Sequence, residues 1–161
     1  MEVRNLTIER AYTTDALSSF SCGVREIDLL IHKKENGLRS FVELNPCEFY
    51  IVYDDERIPV ATFVISRRTI TMDEAPEDSI EIDFLAVKKE YRKQRIGTIL
   101  LQEAEERARN SDYNFLTVGA FKNKRYTAVG FYEKCGFILN GKQEGNAVPM
   151  IKYLEPNRGM R

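Results

Sequence analysis

The residues with the clearest chemical potential lie between Ser79 and Ala108. Arg92, Lys93, Gln94, Arg95, Ile96, Gly97 and Thr98 form a basic turn after a strand-like run, Ile80 to Val87, and before a helix-like run from Ile99 toward Arg109. A turn of this kind, opening a helix beside a strand end, is an anion site. The first helical N–H groups have no partner within the helix, and the aligned peptide dipoles add partial positive charge there. Gly97 lets a ligand come close to the backbone. Arg92, Lys93 and Arg95 supply mobile charge suited to a phosphorylated ligand. Charge clusters are usually solvated turns, but the position of this one before Gly97 and an amphipathic helix favours phosphate. The absence of Gly-x-x-x-x-Gly-Lys argues against an ATP-type loop.

Two carboxylates precede the turn. Glu81 and Asp83 alternate with Ile82 and Phe84, so both fall on one face of the strand. They could remove a proton, directly or through water, attract a cation, or pair with arginines. Carboxylates near their ordinary pKa are poor bases at neutral pH unless burial raises them. His32 is the only histidine, which weighs against Ser-His-Asp chemistry and a histidine metal site, so no metal is expected. Beside Lys33 and Lys34 it reads as a surface residue. Cys135 reads as a small packed hydrophobe rather than a nucleophile.

These groups need elements to position them. Leu6 to Ala11 alternates and reads as a strand. Thr13-Thr14-Asp15 is suited to capping a short helical segment through Phe20. Gly23 to Leu38 reads as one helix with Ile27, Leu30 and Ile31 on one face. Asn45-Pro46 breaks the chain before a strand, Glu48 to Tyr53. Asp54 to Arg57 connects it to a returning strand, Val60 to Ser66. Met72 to Asp78 is an acidic loop. In the helix after the basic turn, Ile96, Ile99, Leu100 and Ala104 share one face, and Glu103, Glu106 and Arg107 face water. Tyr91 reads as a staple for the turn. Phe115 to Val118 is a strand, Arg125 to Cys135 a helix, and Phe137 to Leu139 and Val148 to Leu154 closing strands around the polar loop Asn140 to Asn146. The order implies an α/β (α+β) domain with one mixed sheet flanked by helices. The strand-helix-strand unit around the turn is expected to be a parallel crossover. Residues 1–155 read as one domain and 156–161 as a tail.

The chain has 161 residues, enough for a hydrophobic core, and a net charge of −1. No global field therefore favours nucleic acid or an anionic membrane. Three cysteines without Cys-x-x-Cys spacing, and no export signal, fit reduced thiols in the cytoplasm. The longest apolar run, around Phe49 to Tyr53, is too short to span a bilayer.

At two blocks the chain resembles the GNAT acetyltransferases. Arg92 to Gly97 match the family's Arg/Gln-x-x-Gly-x-Gly/Ala loop, with Arg95 where the first glycine usually stands. Ala128-Val129-Gly130-Phe131-Tyr132-Glu133-Lys134-Cys135-Gly136-Phe137 resembles the family's Ala-x-x-Phe-Tyr-Glu-Lys-x-Gly-Phe segment. With the strand between them, the blocks cover nearly the whole second half. The resemblance implies acetyl-CoA as cosubstrate, its pyrophosphate held by backbone N–H groups of the turn, with the Arg95 side chain directed away from it. In the family the crossover strands splay and admit the thioester arm. Leu85, Ala86 and Val87 would then offer backbone hydrogen bonds to the pantetheine amides. It also implies a general-acid role for Tyr132 toward the coenzyme sulfur, since a phenol with a pKa near 10 holds its proton at neutral pH; the other reading of Tyr132 is packing. Glu81 lies where several members place a base. Arg125 stands where the family often has asparagine, and either reaches a phosphate or begins a helix; Asn123 is out of register.

The resemblance implies a primary amine as acceptor and leaves it unidentified. Phe20-Ser21-Cys22-Gly23-Val24-Arg25-Glu26-Ile27-Asp28 resembles the Phe-x-Cys-Gly…Leu-Asp opening of a GNAT branch that includes toxins acetylating aminoacyl-tRNA. A toxin would imply an antitoxin partner and a basic face for tRNA, to which Lys33, Lys34, Arg39, Arg67, Arg68, Lys122, Lys124 and Arg125 could contribute. The acidic loop and the near-zero charge argue against assuming that face. A non-catalytic acyl-CoA-binding module is the third reading. Many such domains also form homodimers.

Overall fold

A computed structural model describes residues 5–67 and 75–156. Arg68, positions 72–74 of the acidic loop and residues 157–161 of the expected tail lie outside the described residues, and so does the Lys93 side chain. Among the described residues, seven strands hydrogen-bond in the order β1-β2-β3-β4-β5-β7-β6. They are β1 (Thr7–Ala11), β2 (Cys47–Tyr53), β3 (Pro59–Ser66), β4 (Ser79–Val87), β5 (Phe115–Phe121), β6 (Ile138–Leu139) and β7 (Ala147–Tyr153). The helices are α1 (Arg25–His32), α2 (Leu38–Leu44), α3 (Ile96–Asn110) and α4 (Val129–Lys134). The mixed sheet with flanking helices is the architecture expected. No helix among the described residues is long and apolar enough to cross a membrane.

The chain forms two compact units. The first comprises Met1–Ile65 and Phe84–Leu100. Here β1 pairs antiparallel with β2, from Thr7↔Tyr53 to Ala11↔Phe49. Phe49 to Val52 and Val60 to Ile65 are buried as continuous runs, so these strands lose water on both faces. Tyr50 and Phe63 stack with ring centroids 4.9 Å apart.

Two expectations fail in this unit. The helix expected over Gly23 to Leu38 ends as α1 at His32, and a second helix, α2, not expected from the sequence, begins only at Leu38 and runs to Leu44. Lys33 adopts an extended conformation and Asn36 a left-handed one (φ 56°). Gly37 then passes so close to α1 that a Cβ on it would lie 2.3 Å from the Leu30 carbonyl oxygen. Only glycine permits that approach. Ser40 Oγ accepts the Gly37 N–H at 3.1 Å and starts α2. The segment after Thr14 is one short 3-10 turn, Asp15–Leu17, rather than a helix through Phe20.

The second unit comprises Ser66–Asp83 and Leu101–Arg161. The parallel crossover expected from the sequence is present: β4 pairs with β5 from Ser79↔Phe115 to Ile82↔Val118. β5 pairs antiparallel with β7 over its full length, Phe115↔Tyr153 to Phe121↔Ala147. On α3 the buried residues are Ile96, Leu100, Leu101, Ala104 and Ala108, whereas Ile99 is 44% exposed. The apolar stripe therefore runs through Leu101, not Ile99. The expected helix Arg125–Cys135 is also shorter. Asn123 Oδ1 accepts the N–H groups of Arg125 (2.9 Å) and Tyr126 (2.8 Å), closing a turn that delays α4 to Val129.

Candidate functional site

In the first unit, the basic turn is a six-residue 3-10 helix, Lys89–Gln94, ended by Arg95 and followed at once by α3. Arg95 has φ 59° and ψ 18°, the left-handed conformation that glycine adopts without strain. Its side chain is exposed, and its carbonyl accepts the Ile99 N–H at 3.0 Å. The N–H groups ahead of that bond, at the start of a 15-residue helix, have no intrahelical acceptor. Gly97 lies in this first turn of α3, with Ile96 buried beneath it and Gln94 and Thr98 half-buried.

The turn is anchored on both sides. Tyr91 is buried and its hydroxyl donates to Asp54 Oδ2 at 3.2 Å, a staple as expected. The Arg92 guanidinium donates to the Cys22 carbonyl and, through Nε, to the Val87 carbonyl at 3.4 Å. Arg92 is thus a tie between segments rather than a mobile charge. Lys88 N–H donates to Val60 O at 2.8 Å, fixing the end of β4. The β4 residues Leu85, Ala86 and Val87 lie beyond the register shared with β5, which ends at Ile82. They are preceded by a break in the pleat at Phe84, whose φ of 51° is unusual for a bulky residue. Thr62 Oγ1 donates to the Phe84 carbonyl at 2.8 Å, and the Phe41 ring meets the Phe84 ring edge-on at 5.4 Å.

In the second unit, β4 carries the two carboxyl groups. Glu81 is fully buried, and Asp83 is half-buried with its Oδ2 shielded and without a hydrogen-bond partner among the described residues. Burial pushes the Asp83 carboxyl well above the usual aspartate range, and the charge and hydrogen bond of Glu81 add to the rise. Thr117, the β5 partner of Glu81 in the register, is also fully buried. The two acids lie two residues apart on one strand, as their alternation implied, and the rise makes the Asp83 carboxyl a stronger proton acceptor than an ordinary aspartate.

Tyr132 sits on α4, 6% exposed, with its ring edge-on to Phe131 (5.1 Å) and Phe137 (5.5 Å). Burial raises its phenol above the ordinary tyrosine value, helped by Tyr126, Asp83 and Cys135. Gly136, at φ 96°, ends the helix and lets Phe137 N–H return to Tyr132 O at 3.0 Å. Lys152 Nζ holds the same end through the Cys135 carbonyl (2.7 Å) and pairs with buried Glu105 (2.6 Å). Arg125 is exposed in the Asn123 turn, outside α4.

The first unit thus brings together Leu85–Val87, Arg92 and Gln94–Thr98, and the second brings together Glu81, Asp83 and Tyr132. Tyr126 was missed, because its influence on Tyr132 arises from the turn at Asn123. Asp28 was noted only within a resemblance. Its Oδ2 accepts the Ser21 hydroxyl (2.7 Å) and its Oδ1 the Cys22 N–H (2.8 Å). The turn-forming residue types Ser21, Gly23 and Asp28 were the available signal. His32 is exposed, as expected, with Nε2 2.6 Å from Phe20 O.

The family model described as Acetyltransferase (GNAT) family matches residues 12–137. Among solved structures, an acetyltransferase of the GNAT family from Staphylococcus aureus is similar with a TM-score of 0.71. It is 16% identical, and the match covers 94% of this chain and 100% of that one. AtaTR bound with acetyl-CoA has a TM-score of 0.67 at 24% identity, covering 89% and 91%. A mutant of the AtaT toxin bound to the C-terminus of the antitoxin AtaR and acetyl-CoA has a TM-score of 0.70 at 20% identity, covering 94% of each chain. These likenesses show a shared fold.

Proposed function

Because the chain belongs to the GNAT acetyltransferase family, we propose that it moves an acetyl group from acetyl-CoA to a primary amine by direct attack within a ternary complex. The observation that carries this reading is the turn before α3, where left-handed Arg95 leads straight into the donor-rich start of a 15-residue helix. Such donors suit a pyrophosphate. The backbone of Leu85–Val87 suits the pantetheine amides, as an added strand would.

The amine nitrogen attacks the thioester carbonyl carbon, the carbon–sulfur bond breaks, and sulfur leaves as thiolate. Tyr132, which burial keeps protonated, donates its hydroxyl proton to that sulfur. The nitrogen sheds its proton toward the β4 acids. Either Glu81, which lies where several family members place a base, or Asp83, whose carboxyl burial raises, takes it, directly or through water. Transfer needs no covalent enzyme intermediate; holding both reactants in line supplies much of the rate.

Calorimetric titration with acetyl-CoA and with CoA, on wild type and on Gly97→Glu, tests the reading. Micromolar binding by the wild type, weakened about 100-fold or more by a carboxylate placed in the anion site, is expected. No binding by the wild type overturns the reading.

A second reading is favoured by the segment Phe20–Asp28, which resembles the toxin branch. It makes aminoacyl-tRNA the acceptor and an antitoxin the partner. Growth arrest on expression and salt-sensitive tRNA binding separate it from a small-molecule or protein amine.

A further inference from the structure

The segment Ser21–Asp28 has no role in the chemistry above, yet its groups converge on the anion turn. Asp28 Oδ2 accepts the Ser21 hydroxyl at 2.7 Å, Asp28 Oδ1 accepts the Cys22 N–H at 2.8 Å, and Ser21 Oγ accepts the Gly23 N–H at 3.2 Å. These bonds orient the Cys22 carbonyl, which takes the Arg92 guanidinium. The same guanidinium reaches the Val87 carbonyl at the end of β4. Gly23 has φ 81°, and a Cβ there would lie 3.0 Å from the Lys89 side chain, so the segment also packs on the first residue of the 3-10 turn. Burial alone would raise the Asp28 carboxyl. Hydrogen bonds from Cys22, Ser21 and Gly23 outweigh that and hold it below its usual range, so the ties persist at neutral pH.

We propose that Asp28 is a positioning residue for the acyl donor: through the Cys22 carbonyl it fixes Arg92, which in turn clamps the anion turn to the end of β4. Arg92 then serves the cofactor through the shape of the turn rather than as a phosphate ligand. One guanidinium bridging two carbonyls cannot also give its full fork to a phosphate. The inference rests on the acetyl-CoA reading of the turn and adds to it a chain of dependence that starts in α1.

The test compares two donors, acetyl-CoA and S-acetylpantetheine, which lacks the pyrophosphate. Wild type, Asp28→Ala, Arg92→Lys and the double variant are titrated with each, by calorimetry and by ligand-observed NMR. Each single variant is expected to weaken acetyl-CoA binding about tenfold, and the double variant no more than either alone, because both break one linkage. Acetylpantetheine is expected to weaken with acetyl-CoA, since the Val87 end of β4 loosens too. A double variant weakened about a hundredfold, the product of the singles, overturns the linkage. An Arg92→Lys variant that loses acetyl-CoA but keeps acetylpantetheine makes Arg92 a phosphate ligand and overturns the proposal.

If Asp28→Ala does not fold, Ser21→Ala removes the bonds to Asp28 and from Gly23 at an exposed position and is expected to weaken acetyl-CoA about threefold. Unchanged affinity there overturns the proposal. Asp28→Asn, which keeps an acceptor for the Cys22 N–H, is expected to recover part of the affinity lost in Asp28→Ala. Failure of wild type to bind acetyl-CoA sinks the functional reading itself, a result separate from every variant comparison.

Discussion

The basic turn of the first unit and the acid–phenol cluster of the second solve opposite problems. Around the turn, polar side chains are satisfied: Arg92 lies on two carbonyls, Tyr91 on Asp54, and Asp28 on Ser21 and Cys22. Its strain is confined to one backbone position, Arg95. In the cluster, the strand backbone is paired in register but the side chains are stripped of water. Asp83 keeps a shielded oxygen without a hydrogen-bond partner among the described residues, and Tyr132 is almost fully buried. Holding a polyanion needs donors fixed in place before the ligand arrives. Moving protons needs groups whose pKa values depart from those in water, and burial is how a fold displaces them. On the proposed function the turn supplies affinity and the cluster rate, so variants in the two places should change different measured quantities.

The largest separation is expected at Tyr132. Tyr132→Phe keeps the ring between Phe131 and Phe137 and removes only the hydroxyl. A lost general acid lowers kcat by about 100-fold or more. Acetyl-CoA affinity should stay within about twofold if, as proposed, the hydroxyl acts on the leaving sulfur and not on bound donor. Steady-state kinetics beside calorimetry check both quantities. An unchanged kcat would return Tyr132 to packing and dissolve the contrast.

A smaller effect is expected from Asp83, read in stability against pH. Burial, then the charge and hydrogen bond of Glu81, raise its carboxyl in the folded protein. A raised acid contributes stability that is fully present below its unfolded value, about 3.9, and is lost as pH rises through its native value. The wild type should therefore lose stability as pH rises across that window. Asp83→Asn has no proton to lose, so its profile should be flatter, with a higher melting midpoint at about pH 8. The expected gain is about 2–4 °C, what 1 kcal/mol produces in a chain of this size. Thermal melts across the range measure it. Parallel profiles for the two proteins would show that the carboxyl titrates as in water.

What could be read beforehand follows the same division. Period-two alternation placed β4 and put Glu81 and Asp83 on one face, because that pattern is local. The basic turn and the end of α4 at Gly136 were also legible from neighbouring residues. Gly37 was not. Its meaning depends on the Leu30 carbonyl seven residues earlier, although the break itself is marked locally by Asn36-Gly37 and by the lack of apolar spacing from Lys33 to Gly37. Asn123 likewise delays α4 by bonding forward to two N–H groups, a turn that competes with the helix the apolar spacing suggested. Ile99 falls outside the stripe because the buried residues of α3, Ile96, Leu100, Leu101, Ala104 and Ala108, share a face that the helical rotation turns away from Ile99. Charges along Arg92–Arg95 could be counted, but the engagement of Arg92 with Cys22 joins residues 70 apart.

The smallest expected effect sharpens the contrast from the other side. Arg95 holds a left-handed conformation that costs an L-residue about 1–2 kcal/mol relative to glycine. Its side chain is exposed, so removing it empties no core. Glycine also frees the unfolded chain, which takes back about 0.4–1 kcal/mol. Arg95→Gly should therefore stabilise the protein by about 1 kcal/mol or less, a rise of about 2–4 °C at most. If the turn binds through its backbone, acetyl-CoA affinity should remain within about twofold, and its dependence on salt should hardly change. A tenfold loss with a weaker salt dependence would mean that the guanidinium itself meets the phosphates. Affinity in this turn would then come from charge as well as fixed N–H groups, and the strain at Arg95 would be the cost of placing that charge beside the helix start.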